Sequence, residues 1–422
     1  MDVSLHFLQK IIEFLEKKRI LIEITPKPSF PDEPLIYNFT VLLKLTKKFT
    51  DGKVIAIAGG GYSFKSKKLA LLKCLMEGME RFSNTCYKAS KIRYSFYEEL
   101  NAKALNPQVY LSEKKVQGKK IGWVEGKDLF NNQAVLLPAQ IIYYNYVFAN
   151  SEPCLTQLNS TGAAGGIDFE TTLLRGIYEV VERDAFMTTY LAKIRAPKIE
   201  LNDLEKKFAT VNKLIRNITK FNLEVMIFNL ENDLKIPTFL CIVIDRTGLG
   251  PAISLGLKSS LNQERAVSGA IEEALNSRPW LRMELWNRQE SRVTSKANKN
   301  IVSILERGLF WLSPKMLKRI SFLLDQPSQK LKIRNFAADS TKELSEVKRL
   351  LRDKGKESYF CDIGISEFKK IGLHFYKVVI PKLQPLFLEE NRREIRRDRL
   401  KEVAKFFGQD KFSLNQTPHP FL

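Results

Sequence analysis

Histidine is scarce in this chain. His6, His374 and His419 are the only three in 422 residues. So thin a supply, spread from one end to the other, furnishes neither a Ser-His-Asp relay nor a histidine-rich metal site. Cysteine is nearly as thin. Cys74, Cys86, Cys154, Cys241 and Cys361 are odd in number, scattered, and nowhere paired as C-x-x-C. That argues against a disulfide framework or a zinc site and fits a reduced cytosol. No apolar run approaches the roughly 20 residues needed to cross a bilayer. At the start, Leu5, Leu8, Ile11, Ile12 and Leu15 recur at helical spacing, but Asp2 and Glu13 interrupt them and no small-residue cleavage site follows. The segment reads as an amphipathic helix packed on the body, not a signal peptide. A cytoplasmic protein with no membrane partner is expected.

Acids are outnumbered, 47 against 68 lysines and arginines, for a formal charge of +21. A lysine-rich solvated surface accounts for this best; an anionic partner is the other reading. The densest basic stretch, 391–405, carries its own acids at Glu394, Asp398 and Glu402. No zinc-finger, helix-turn-helix or RNA-recognition signature accompanies it, which weakens a non-enzymatic nucleic-acid-binding reading.

What the chain does have is glutamate in pairs. Residues 159–186 read NSTGAAGGIDFETTLLRGIYEVVERDAF. A small, glycine-dense loop (Ser160 to Gly166) runs into an apolar helical pattern holding Glu179, Glu182 and Arg183. Positions i, i+3 and i+4 share one helix face, so both carboxylates and the guanidinium point the same way. The neighbours Leu173, Leu174, Ile177, Val180, Val181 and Phe186 have the character of a buried face. The same E-x-x-E-R device occurs earlier, at Glu77, Glu80 and Arg81, inside LALLKCLMEGMERFS (69–83). One copy is usually a salt-bridged helix face. Two copies in apolar helices suggest two helices facing one site, where four carboxylates would repel unless they hold metal ions. Hard oxygen ligands beside arginines suit magnesium and a polyphosphate.

Along the chain, strands are expected at 21–24 and 41–46, with prolines 26, 28, 31 and 34 between them. Another at 54–64 is read as running into a turn at Gly59-Gly60-Gly61. A Gly-rich turn before a helix can cradle phosphate, but these glycines fit neither the P-loop nor the dinucleotide pattern. Residues 121–144 read as two strands about an Asn131-Asn132 turn, with Pro138 breaking the second. Further strands are expected within 222–243, 251–260 and 374–381, with a helix at 262–278. Residues 279–356 are charged and helical in pattern and carry no assignable chemistry. The last residues, Pro418-His419-Pro420-Phe421-Leu422, are stiff and end in apolar groups. A frayed terminus is the common fate of such a tail; the alternative is that it inserts and places its terminal carboxylate. The expected organisation is an N-terminal helix/strand segment, 1–53, packed on a body of 54–422.

Taken in order, these blocks resemble the YcaO family. The resemblance rests on KCLMEGMERFS after the glycines, on GWVEGKDLF and AVLLPA, and on STGAAGG followed by ETTLLRGIYEVVERDAF. AVSGAIEEALNSR, GLHFYKVVIPKLQPL and the proline-rich end complete it. It covers most of the chain from about Val54. Three positions depart: Ile167 stands where the family often has Asn, Glu170 falls one position early for the family's preceding acid, and Asn276 replaces a glutamine.

The resemblance implies an α+β fold with mixed and antiparallel sheets around one nucleotide cleft, without a P-loop. It implies an ATP- and magnesium-dependent enzyme acting on a peptide backbone amide. In azoline-forming members a Cys, Ser or Thr side chain attacks the preceding carbonyl, ATP phosphorylates the oxyanion, and loss of phosphate leaves a thiazoline or oxazoline. Thioamide-forming members do the analogous reaction with sulfide. By block position Glu77, Glu80, Glu179 and Glu182 should hold magnesium. Arg81, Arg183, Ser160, Thr161, Glu170, Glu273, Asn276 and Arg278 should bind the nucleotide. The tail, through Pro418, Pro420 and the Leu422 carboxylate, should serve catalysis, which favours azoline formation over thioamidation. The implied partners are a ribosomally made precursor peptide and a separate leader-binding, ubiquitin-activating-like protein, since no room for that domain is seen before residue 50. A downstream flavin dehydrogenase and a homodimer are compatible with it. A scaffold subunit that binds peptide but not ATP is the remaining alternative.

Overall fold

The computed structural model describes residues 5–52, 54–100, 103–110, 113–149, 151–287, 301–334, 336 and 338–422. Contacts gather the chain into two compact units. The first comprises Met1–Pro26, Tyr37–Val180 and Asp339–Lys382; the second comprises Lys27–Ile36, Val181–Ala338 and Leu383–Leu422. This line differs from the expected 1–53 and 54–422. The reason is strand pairing: Tyr37–Lys44 is the antiparallel partner of Ala56–Ser63, so no boundary falls between them.

In the first unit the helix Leu5–Lys17 buries Leu8, Ile11 and Leu15 and leaves Leu5 exposed. Leu21–Pro26, Tyr37–Lys44 and Ala56–Ser63 form a three-stranded antiparallel sheet in that order. The third strand runs straight through Gly59, Gly60 and Gly61, where the sequence suggested a turn. The glycines serve packing. A Cβ on Gly61 would stand 2.0 Å from the backbone nitrogen of Cys74, and one on Gly59 2.3 Å from that of Gly78. The helix Lys67–Thr85 therefore lies on the strand backbone to backbone. Ser66 caps that helix, its hydroxyl accepting from the Leu69 N–H.

A six-stranded sheet completes the first unit. Its order is Arg93–Phe96, Lys120–Asp128, Tyr359–Asp362, His374–Val379 and Ala163–Gly166, with Ala134–Pro138 also paired to Lys120–Asp128. The expected hairpin is present, with Asn132 at φ 59° and Pro138 ending the second strand. Ala163–Gly166, read from sequence as part of a loop, is a strand paired antiparallel with His374–Lys377.

The second unit is built on a five-stranded sheet: Ile253–Ser259, Thr238–Asp245, Leu223–Asn229, Lys198–Ile199 and Ser328–Gln329. Thr238–Asp245 is buried at every position, which is why its apolar run is continuous rather than alternating. The helix Gln263–Asn287 runs past the expected end at 278 and carries Pro279 inside it. Phe186, Tyr190, Leu240, Ile242, Trp311 and Phe421 belong to the core of this unit. Of the stretch 279–356, residues 288–300, 335 and 337 lie outside the described residues; the rest includes helices Ile304–Phe310 and Ser340–Asp353. The architecture is α+β, helices with mainly antiparallel sheets. Among the described residues no helix is long and apolar enough to cross a membrane.

Candidate active site

Both E-x-x-E-R clusters lie on helices. Lys67–Thr85 carries Glu77, Glu80 and Arg81; Phe169–Leu191 carries Glu179, Glu182 and Arg183. The latter helix passes from the first unit into the second after Val180. Glu179 is therefore described with the first unit and Glu182 with the second.

In the first unit three carboxylates act on one another. Burial holds the Glu80 carboxyl well above the usual carboxylate range, and the charges of Glu179 and Glu77 raise it further against the pull of Arg81 and Arg175. Glu77 is raised as well, by burial first, with Arg81 opposing, Glu179 adding and the Gly60 N–H opposing. Glu77 keeps 37% of its side-chain surface open, yet protein crowds it from most directions. Arg81 grips Glu77 at 2.6 Å and donates from Nη1 to the Ala58 carbonyl at 2.9 Å.

The loop before the second glutamate helix is held to the same cluster. The Gly162 N–H donates to Glu179 Oε2 at 2.9 Å. Gly162 has φ +84°, and a Cβ there would meet the Val378 carbonyl oxygen at 2.3 Å. Only glycine brings this N–H onto the carboxylate. The Thr161 N–H donates to Asn159 Oδ1 at 3.0 Å, and Arg175 Nη1 to the Gly165 carbonyl at 2.9 Å. Ser160 and Thr161 are half-buried in this loop. Glu170 stands in the first turn of the helix, more than two turns before Glu179, where its charge acts on Lys348 and Tyr376.

One residue of this cluster was not anticipated. Lys377 sits on the strand His374–Val379, 2% exposed, and its Nζ donates to the Asn159 carbonyl at 2.9 Å. Burial pushes its ammonium down to about 8, while Glu179 and Glu80 resist the fall. The signal that could have found it is a lone lysine inside an otherwise apolar strand, FYKVV.

The second unit has its own charged cluster. Glu182 is 3% exposed, and its Oε1 accepts from the Ser259 N–H at 2.7 Å and from Lys258 Nζ at 3.0 Å. Glu273 Oε2 accepts from the Leu257 N–H at 2.6 Å. Burial raises Glu273 to about 7, with Arg183 opposing, Glu182 adding and Lys258 opposing. Asn276 is half-buried on the same helix. Lys258, on the strand Ile253–Ser259, was not anticipated either.

Arg278, expected to bind the nucleotide, is engaged by acids of the second unit. Its Nε and Nη2 donate to Glu33 at 2.8 Å each, Nη2 also to Asp245 at 2.8 Å, and Nη1 to the Pro251 carbonyl at 3.0 Å. Arg282 joins the network through Glu33 and Asp32. Five residues beyond Glu273 is a rotation of about 140° around a helix, which points Arg278 into the unit's interior.

The tail docks inside the second unit. The Pro418 carbonyl accepts from Tyr190 Oη at 3.0 Å and from Trp311 Nε1 at 3.1 Å, and the His419 carbonyl accepts from Arg307 Nη1 at 2.8 Å. His419 Nε2 lies 2.7 Å from the Phe387 carbonyl, so that nitrogen carries the proton. Burial, aided by Arg307, holds the imidazole well below its usual pKa and therefore neutral. Phe421 packs on Phe186, and the Arg183 guanidinium lies 4.2 Å from its ring centre.

Among the described residues no three acidic, histidine or cysteine side chains already converge as a metal cage. The carboxylates are held instead by the amide and cationic donors just named. Their chemistry still fits magnesium. The donors are hard oxygens, and the half-buried, crowded Glu80 carboxyl is disfavoured as an anion until a cation joins it.

The family model described as YcaO cyclodehydratase, ATP- and Mg2+-binding, matches residues 61–384. The chain belongs to the YcaO family. This YcaO protein is 25% identical over 348 residues to an uncharacterized protein of Methanothermobacter thermautotrophicus, covering 81% of the chain and 85% of the relative. Its fold matches a heterocyclase in complex with substrate and cofactor at TM-score 0.75 and 19% identity, over 99% of this chain and 57% of that one. It matches YcaO from Methanopyrus kandleri, bound with AMPPCP and Mg2+, at TM-score 0.64 and 16% identity, over 92% and 93%. The chain thus spans little more than half the heterocyclase's length. At these identities the likeness carries the fold, and it agrees with the α+β, YcaO-type architecture expected from the ordered blocks.

Proposed function

We propose that this YcaO protein activates a backbone amide of a ribosomally made precursor peptide through ATP-dependent phosphorylation of the amide oxygen, giving azolines from Cys, Ser or Thr. The observation that carries the reading is the Glu80 cluster. A half-buried carboxylate crowded by protein and pressed by two others is costly in an empty protein and becomes favourable beside a divalent cation. In this reading Glu77, Glu80, Glu179 and Glu182 hold magnesium, Arg81 and Arg183 pair with phosphate, and Ser160, Thr161, Glu273 and Asn276 line the nucleotide. Bound magnesium would supply charge neutralisation for the phosphoryl oxygens.

The chain's own residues supply positioning. The Gly162 N–H fixes Glu179, and the Ser259 N–H and Lys258 fix Glu182. The substrate side chain attacks the preceding carbonyl and so closes the ring, the oxyanion takes the phosphoryl group from ATP with release of ADP, and phosphate then leaves with loss of the amide N–H proton, forming the C=N bond of the azoline. The preference for azoline formation over thioamidation rests on the resemblance of the proline-rich end to that of azoline-forming members; in this protein that end is docked, with Phe421 against Arg183. A separate leader-binding partner and a cytoplasmic location belong to the same reading.

Calorimetry with magnesium and ATP tests it, wild type against Glu182→Gln, with circular dichroism confirming that both are folded. Binding in the wild type, weakened at least ~10-fold in the mutant, is expected. No binding by either would sink the reading. With a processed peptide in hand, mass spectrometry separates the two chemistries: loss of one water marks an azoline, exchange of oxygen for sulfur a thioamide.

A further inference from the structure

We infer that Asp184 and Arg399 are positioning residues: their buried fork fixes the rotation of the second glutamate helix and so aims Glu182. That Glu182 meets magnesium nucleotide rests on the reading above; that Asp184 aims it does not.

Asp184 follows Glu182 by two positions on the helix Phe169–Leu191. Two helical steps turn the chain by about 200°, so the two carboxylates leave opposite sides of the helix. Each side is gripped by a different part of the second unit. Glu182 faces the strand Ile253–Ser259, where the Ser259 N–H and Lys258 Nζ donate to it. Asp184 is fully buried. Its Oδ1 accepts from the Gln384 N–H at 2.8 Å and from Arg399 Nε at 2.9 Å. Its Oδ2 accepts from Arg399 Nη2 at 2.7 Å and from Asn232 Nδ2 at 3.0 Å. The guanidinium is itself held from behind, its Nη1 pairing with Asp233 at 2.8 Å and Glu402 at 2.7 Å. Gln384 is tied down as well. Its Oε1 accepts from the Arg396 N–H at 2.8 Å, and its Nε2 donates to the Glu394 carbonyl at 2.6 Å.

Packing does not ask for an acid at this position. Ala185, Phe186 and Met187 follow Asp184 into the core of the unit. An apolar side chain in its place would avoid desolvating both a carboxylate and a guanidinium. What an apolar contact lacks is direction. A bidentate fork, with a further amide on each oxygen, holds a single orientation. A helix locked on that side cannot roll, so Glu182 on the other side stays against Ser259.

Hydrogen exchange resolved to the Ser259 amide, in the ligand-free protein, tests the aiming. Asp184→Asn keeps the shape of the side chain and removes its charge. The Ser259 amide should then exchange at least ~10-fold faster, while the amides of the adjoining strand Thr238–Asp245 keep their protection. Equal acceleration in both strands would mark a merely structural pair and overturn the inference, as would unchanged exchange at Ser259. If Asp184→Asn does not fold, Asn232→Ala, which removes one donor and leaves the ion pair, takes its place and is read in the same way.

Calorimetry with magnesium and the non-hydrolysable analogue AMPPNP carries the test to the site. Asp184→Asn should weaken binding at least ~10-fold in the wild-type background and far less in the Glu182→Gln background, where there is no carboxylate left to aim. Equal losses in the two backgrounds would overturn the inference. Faster exchange at Ser259 alone, with no AMPPNP binding by the wild type, would leave the positioning role standing and remove the nucleotide reading.

Discussion

Glu273 and Glu80 are carboxyls that the folded chain holds as acids to unusually high pH, Glu273 to about 7. Between the unfolded value of 4.5 and that folded value, the native state binds more protons than the unfolded one. The stability these groups contribute is present at the acid end of the window and is lost as pH rises through it. The ligand-free protein should therefore show a lower midpoint at about pH 8 than at about pH 5.5 from this contribution. Magnesium nucleotide should act oppositely, because the carboxylates must shed protons to bind it. Its stabilising shift in a thermal-shift assay should be larger at about pH 8 than at about pH 6; a shift that grows toward acid would rule out these carboxylates as the ligands. The two glutamate triplets were legible because i, i+3, i+4 spacing is a local property of a helix. Lys377 and Lys258 were not, since what makes each one part of a charged cluster is a strand neighbour far away in sequence. Arg278's acidic partners were hidden for the converse reason: nearness to Glu273 in sequence does not show its rotation to the other side of the helix.

The elements that carry those residues are placed by contact between backbones. Gly61→Ala would press a methyl into the Cys74 backbone nitrogen, and Gly59→Ala into that of Gly78. Each should destabilise by about 1–3 kcal/mol or more, since neither helix nor strand can yield. Gly60→Ala meets nothing within 4 Å and should be near neutral. Chemical denaturation of the three variants checks the pattern, and equal costs at all three positions would contradict this packing. The sequence could not separate a glycine turn from a glycine strand here, because both need a missing Cβ. What decides is the helix lying against the strand, a tertiary fact. Ala163–Gly166 was hidden likewise: small residues carry no strand preference, and pairing with His374–Lys377 alone makes them a strand.

At the scale of the whole chain, the family could be read from the order of its blocks, whereas the division into two units could not. Tail docking is the feature most open to test. Removing residues 418–422 would strip acceptors from Tyr190, Trp311 and Arg307 in a buried setting. Each orphaned donor costs about 1–3 kcal/mol, so the truncated protein should unfold several degrees earlier. An unchanged midpoint would mean that the tail is not bound there. The chain changes unit at residues 26, 36, 180, 338 and 382. Neither unit is a continuous stretch, so no single recombination point could exchange one for a relative's. The ribosome faces the same fact as a delay. Ala163–Gly166 waits for a strand that begins at His374, about 10–40 s of synthesis at ordinary elongation rates. Until that strand emerges, the Gly162 carbonyl has no Val378 N–H to accept from. A nascent chain therefore holds the loop beside Glu179 unfinished until nearly nine-tenths of it has been made.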